Sequence, residues 1–316
     1  MPSTAQTSLS SFRHEAFMYA GRDEFVRGAS AFLRDGLAAG EPMLVVVGAA
    51  KIELLKDELG RDARAVQFAD MADVGANPGR IIPAWRDFVA EHAAPGRGIR
   101  GIGEPIGPDR DPAELVECHR HEALLNVAFA RDPGFRLMCP YDTEALDPAV
   151  VAHAHHTHPV IVADGAPHAS DCFPGLDAVA APFDEPLPDP PADAEQLDVH
   201  MHGLVAVRRL VSRFVTATHM SADRADEVVL AVNEIATNSV RHGGGHGVLR
   251  LWREPDAIVC EVRDGGVIEP PLAGRERPLR GQVGGYGLWL ANQVCDLVQV
   301  RSFPTGSAVR LHVRLG

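Results

Sequence analysis

Lysine is nearly absent from this chain: Lys51 and Lys56 stand against 28 arginines. That imbalance reads as the coding bias of a GC-rich gene and excludes nothing chemical. Long apolar runs are missing too. No stretch approaches the ~18 consecutive apolar residues of a spanning helix, so no transmembrane helix is expected. The opening MPSTAQTSLSSF has neither the basic start nor the apolar core of a secretory signal. The cysteines, Cys118, Cys139, Cys172, Cys260 and Cys295, are scattered and form no CxxC pair. That excludes a disulfide framework and a zinc ribbon, and a reduced cytoplasm is the expected compartment. Bases are outnumbered, 30 to 43, for a net charge of −13, which argues against general DNA or anionic-membrane binding.

What is present divides in two. At about 150 residues per domain, 316 residues suggest two domains, and 46% hydrophobic residues can supply a core to each. Residues 181–196, APFDEPLPDPPADAEQ, hold five prolines, five acids and no base. Missing backbone donors and like charges predict an extended, semi-rigid linker there. The net charge is −10 before this segment and +2 after it.

Before the linker, strand-like and helix-like stretches alternate. Helical spacing covers Asp23–Ala39 with Gly40 as its stop, then 51–59, 79–94 and Pro112–Ala130. Strand-like runs fall at Met43–Val47, 64–68, Ile99–Ile102 and Phe135–Cys139. The pattern predicts an α/β fold with a largely parallel sheet flanked by helices. After Val47 comes Gly48-Ala-Ala-Lys51, which is no phosphate loop, so ATP hydrolysis is not expected in this half. After the linker, helices are expected at Leu197–Thr218, Ala222–His242 and from Gly287. Strands are expected at 247–253, 257–263, 297–303 and 307–314, giving helices on one face of a mixed sheet.

Three strings in the second half carry chemistry. Glu234-Ile-Ala-Thr-Asn238 sets a carboxylate and an amide on one helical face, suited to activating a hydroxyl and to holding Mg²⁺. Asp264-Gly265-Gly266 follows an apolar strand, where an acceptor could read an exocyclic amine. Gly284-Gly285-Tyr286-Gly287-Leu288 opens a helix, and its N–H groups could cradle phosphate. Each string alone is commonplace: a solvated helix face, a turn, a helix start. Their order, with a β-hairpin between and a flexible loop after, is specific.

On these residues, the segment 197–316 resembles the GHKL (Bergerat-fold) ATPases, an α/β sandwich. It is most similar to the anti-sigma-factor serine kinases, whose helix commonly reads like Asn233-Glu234-Ile235-Ala236-Thr237-Asn238-Ser239-Val240-Arg241-His242-Gly243. The resemblance implies Glu234 as catalytic base and Asn238 as the Mg²⁺ ligand. It implies Asp264 on the adenine amine with Gly266 beside the base, and Gly285, Gly287 and Leu288 at the phosphates. Ser307 would lie near the base, and residues 267–284 would form a lid in which Arg275, Arg277 and Arg280 could meet phosphate. One departure stands out: Val267-Ile268 follow Asp264-Gly265-Gly266 where the family has a further glycine.

The implied cofactors are ATP and Mg²⁺, and the implied activity is Ser/Thr kinase action on an anti-sigma antagonist, or sequestration of a sigma factor. A sensor histidine kinase and a non-catalytic ATP-dependent binding module stay open. Histidine kinases place an acceptor His before an acid on a helical hairpin. Here His200 and His202 precede no acid, and His121-Glu122 lies in the first half. Gyrase-like and mismatch-repair ATPases need a further transducer domain, so that reading is not expected here.

Residues 12–178 resemble the MEDS sensory domain. The matching stretches are His14, Asp23-Glu24-Phe25, Gly36–Pro42, Gly103-Glu104-Pro105, His121–Asn126, Cys139–Asp142 and His158-Pro159. The resemblance implies a RecA-like core and a site for an undefined small-molecule signal. Glu104, His121, Glu122, Asn126, Tyr141, Asp142 and His158 fall at strand ends or on one helix and are the candidate pocket, with buried hydrogen bonding as the alternative. His153, His155, His156 and His158 invite a metal reading, but no carboxylate or thiolate joins them at ligand spacing. A helix end before Pro159 is the simpler expectation. A homodimer is one open arrangement.

Overall fold

The computed structural model describes residues 12–132, 134–179, 185–218, 220–278 and 285–315. By contact it resolves into two compact units. The first comprises 1–75 and 84–180, the second 76–83 and 181–316.

In the first unit, Met43–Val47 is strand β2, buried along its whole length, as a run of β-branched and apolar residues with both faces covered should be. Around it run β1 (Arg13–Tyr19), β3 (Val66–Asp70), β4 (Ile99–Gly103), β5 (Phe135–Asp142), β6 (Val160–Ala163) and β7 (Ala166–Ala169). Their order is β3-β2-β4-β5-β1-β6-β7. Every pair is parallel except the β6–β7 hairpin.

The flanking helices are α1 (Gly21–Ala39), α2 (Ala49–Leu59), α3 (Met71–Val74), α4 (Ile81–His92), α5 (Pro112–Ala128) and α6 (Pro148–Thr157). Gly40 ends α1 in the left-handed conformation, φ 66°. Asp111 starts α5 with a reciprocal capping box to Glu114. One core cluster packs Phe25, Leu33, Val45, Leu55 and Ile102 between helices and sheet.

The second unit holds β8 (Glu195–His200), α7 (Leu204–Thr216), α8 (Ala222–His242), β9 (His246–Arg253), β10 (Ala257–Asp264), α9 (Tyr286–Val294), β11 (Leu297–Phe303) and β12 (Gly306–Arg314). The sheet order is β11-β12-β10-β9-β8. Its pairs are all antiparallel, narrower than the mixed sheet expected. Valines 207, 211 and 215 of α7, Val228, Val232 and Ile235 of α8, and the inner faces of β9, β10 and β12 form one core.

The first expected helix is shorter than its pattern suggested. Residues 195–200 pair with β9 as an edge strand, with only Val199 buried, and helix begins at Leu204. His200 therefore closes a strand and His202 lies in a 3-10 turn, so neither is on a helix that could present a phosphoacceptor.

The described part of the acidic linker is docked: Arg310 donates to the Pro188 carbonyl and Arg263 lies 3.5 Å from Asp189. Residues 76–83 join this unit, where Asn77 donates to the carbonyls of Asn292 and Cys295 at 3.2 and 3.1 Å. Among the described residues no helix is long and apolar enough to cross a membrane.

Candidate functional site

Helix α8 is amphipathic. Ile235, Ala236, Ser239 and Val240 are buried, while Glu234 and Asn238, one turn apart, share the half-buried face. That face meets the start of α9. A Cβ placed on Gly287 would lie 2.4 Å from Asn238 Nδ2 and 3.5 Å from Glu234 Cβ, so glycine is required by proximity. Gly285 caps α9 with φ 84°, a conformation other residues rarely adopt. Leu288 packs beside Gly274, whose carbonyl accepts from Asn292 Nδ2 at 2.9 Å.

Asp264 ends β10 inside a ring of close backbone. Cβ atoms on Gly243 or Gly306 would fall 2.4 Å from Asp264 Cγ and 2.2 Å from its carbonyl oxygen. Its Oδ1 accepts the Gly266 N–H at 2.8 Å and the Ser307 hydroxyl at 3.0 Å. Ser307 stands directly opposite on β12. Both bonds go to one oxygen, which leaves Oδ2 free of them to meet a donor.

His242 is exposed at the end of α8. Gly243 donates to the Ser239 carbonyl but has φ −94°, so it is glycine to make room for Asp264 rather than for its handedness. Of the lid arginines, Arg275 is buried and donates to the Pro78 carbonyl at 3.2 Å. Arg277 is exposed. Arg280 and Gly284 lie outside the described residues.

The candidate pocket of the first unit separates into two places. At the carboxyl ends of the parallel strands, Lys51 Nζ donates to Glu104 Oε1 at 2.5 Å and to Tyr19 OH at 2.6 Å. Tyr19 also donates to Glu104 at 3.1 Å. Burial raises the Glu104 carboxyl above its ordinary value, with Lys51 opposing the shift. Asp142, at the end of β5, accepts the Gly21 and Glu144 N–H groups. Lys51 and Tyr19 were not anticipated as site residues.

The second place is wholly buried. His14 of β1, Glu122 of α5, Cys139 of β5 and His158, just past α6, bring one ligand atom each to within 4.8 Å of one another. His14 Nε2 lies 3.1 Å from Glu122 Oε2 and 3.3 Å from Cys139 Sγ. His158 Nε2 lies 3.2 Å from the same carboxylate oxygen. Burial, then the neighbouring His158, lowers the His14 pKa to about 4. Burial, reinforced by Glu122, raises the Cys139 thiol well above its ordinary range.

Asn126 bonds His14, and Tyr141 stands edge-on to His158 at 5.5 Å between ring centroids. His121 is buried on the same helix but is not among the converging ligand atoms. The fold thus gives His158 the carboxylate and thiol that its histidine-rich neighbourhood lacks. His153 instead stacks on His119 at 4.2 Å.

Comparison with known proteins divides the chain similarly. The family described as "MEDS: MEthanogen/methylotroph, DcmR Sensory domain" matches residues 13–159. The family "Histidine kinase-like ATPase domain" matches residues 199–313. Among solved structures, the RsbU and RsbW domains of Rv1364c from Mycobacterium tuberculosis are 16% identical with a TM-score of 0.30. The match covers 40% of this chain and 33% of that one. This chain therefore spans about a third of that protein's length, and so slight a likeness carries no functional argument. No curated protein matches the chain.

Proposed function

From a chain that joins a MEDS sensory domain to a histidine kinase-like ATPase domain, we propose a signal-responsive, ATP-dependent protein kinase. Its substrate would be a Ser or Thr hydroxyl of an anti-sigma-factor antagonist, in the cytoplasm, and the same surface could hold a sigma factor. The observation that carries this reading is the convergence of Glu234 and Asn238 on Gly287, beside an Asp264 whose Oδ2 is left for a donor.

ATP would supply the γ-phosphoryl group and Mg²⁺ would neutralise phosphate charge. Asn238 would hold the metal, and Asp264 would accept the adenine amine with Gly266 close to the base and Ser307 fixing the carboxylate. Gly285, Gly287 and Leu288 would let backbone N–H groups approach the phosphates. Glu234 would orient the incoming hydroxyl and take its proton as the new oxygen–phosphorus bond forms and the β–γ bridge breaks. Of the candidate sensor residues, Glu104 and Asp142 would meet a signal at the strand ends, while His121, Glu122, Asn126, Tyr141 and His158 are buried.

Incubation with γ-labelled ATP and an antagonist protein tests the reading. An acid-stable label on the antagonist is expected, lost in Glu234→Ala with nucleotide still bound, and absent in Asp264→Asn because binding fails. An acid-labile label on the protein itself would replace this reading with a histidine kinase. Binding without any transfer would leave an ATP-dependent docking module. Unchanged nucleotide binding in Asp264→Asn would refute the adenine assignment.

A further inference from the structure

The buried cluster in the first unit has more acceptors than protons, and the hydrogen-bond network shows why. Asn126 Nδ2 is committed to carbonyls, those of Glu122 and Ala123 at 3.2 Å and that of Thr157 at 2.8 Å. Its Oδ1 must therefore be the atom facing His14 Nδ1, at 3.2 Å, so that nitrogen carries the hydrogen. His158 Nδ1 lies 3.0 Å from both the Ala154 carbonyl and the Thr157 hydroxyl; the hydroxyl donates to that same carbonyl at 3.3 Å and the carbonyl can only accept, so Nδ1 is likewise the N–H. Both rings, if neutral, then turn an Nε2 lone pair toward the carboxylate of Glu122. The Glu122 carboxylate, at 3.2 Å, is what stands before His158 Nε2, and no hydrogen-bond partner reaches Glu122 Oε1. All four side chains are at most 1% exposed, so water cannot relieve this convergence.

A cation at the centre resolves it. We propose that His14 Nε2, His158 Nε2, Glu122 and the Cys139 thiolate form a closed site for one zinc-class divalent ion. Two imidazole nitrogens, one carboxylate oxygen and one thiolate are a four-coordinate zinc set. The thiolate disfavours magnesium and calcium, which take oxygen. Two ligand anions balance the ion, leaving the buried site neutral overall.

The supporting groups are those a metal-bound histidine uses: a carbonyl behind His158, and a fixed amide oxygen behind His14. With four protein ligands and no access to solvent, the site is structural, tying β1 and β5 to α5 and to the segment after α6. It is independent of the kinase reading, and of the run His153-Ala-His155-His156, whose other members point elsewhere.

Metal analysis of the full chain, carrying no histidine tag and purified from zinc-supplemented cells, is the test. About one zinc per chain is expected. Cys139→Ser and His158→Ala should lose it, while the double variant His153→Ala, His156→Ala should keep it. Asn126→Ala should weaken it by about 10- to 100-fold.

Because ligand variants could unfold, the wild-type chain is also stripped with chelator and titrated with Co²⁺. Tetrahedral d–d bands and a thiolate-to-cobalt charge-transfer band saturating at one equivalent are expected. Zinc retained in Cys139→Ser, or a cobalt titration lacking the charge-transfer band, would overturn the assignment and leave a hydrogen-bonded cluster.

Discussion

Gly287 is the position at which the proposed ATP site has least room. A methyl group there would sit 2.4 Å from Asn238 Nδ2, well inside contact distance, and the neighbour is a short side chain on a packed helix. Gly287→Ala should therefore cost about 1–3 kcal/mol of stability through overpacking. It should also displace Asn238, so affinity for a fluorescent ATP analogue should fall at least about tenfold, the equivalent of 1.4 kcal/mol. Gly107→Ala, where a Cβ meets nothing within 4 Å, is the control and should change neither. A Gly287→Ala protein that binds nucleotide normally would remove Asn238 from the site.

At this scale the two sites were unequally legible. Glu234, Asn238, Asp264 and Gly287 stand in short strings whose spacing already implies a shared face or a tight turn. His14, Glu122, Cys139 and His158 are separated by up to 144 residues and meet only through β1–β5 pairing and the packing of α5. His14 and Cys139 are visible in the sequence as parts of family-like stretches, but nothing local joins them.

Helices α5 and α6 carry a contact whose strength depends on pH. His119 and His153 stack at 4.2 Å with planes 10° apart, and His119 Nε2 is buried without a hydrogen-bond partner. Burial first, and then His153, lowers the His119 pKa from 6.5 to about 4; burial and His156 lower that of His153. A histidine with a depressed pKa binds its proton more weakly when folded, so stability is full above about 6.5 and is lost as pH falls toward 4. Thermal unfolding of the wild type should therefore weaken steadily across that window. His119→Gln, which cannot titrate, should lessen the response, leaving the share that His14 contributes, and an unchanged pH profile in this variant would exclude the stack as a source.

Element boundaries follow the same logic of partners. The apolar run of β2 and the amphipathic α8 were legible with both ends because their own side chains specify burial. Strand β1 was not, because His14 and Glu15 interrupt it, and both are buried only by distant partners such as Arg136 and Glu122. Strand β8 has a helix-like sequence because an edge strand with one buried residue has little pattern of its own.

Among the described residues each unit has a hydrophobic core of its own, and ligands should report on the two separately. The net charge of −13 averages an acidic first part and linker with a slightly positive second part, so it describes neither candidate surface. Residues 76–83 belong to the second unit although they lie within the first in sequence, so cutting at the linker would not cleanly part the two. The full chain is thus the object to measure. A ligand that binds only the folded state stabilises it by about 2.7 kcal/mol at 100 times its Kd.

Under hydrogen–deuterium exchange, Mg-ATP should slow exchange most in 222–242, 257–264 and 286–294, which carry the proposed site. Protection centred instead on 99–142 would move the nucleotide site into the first unit. The position of the protected segments therefore decides the assignment even if both units are stabilised to some degree.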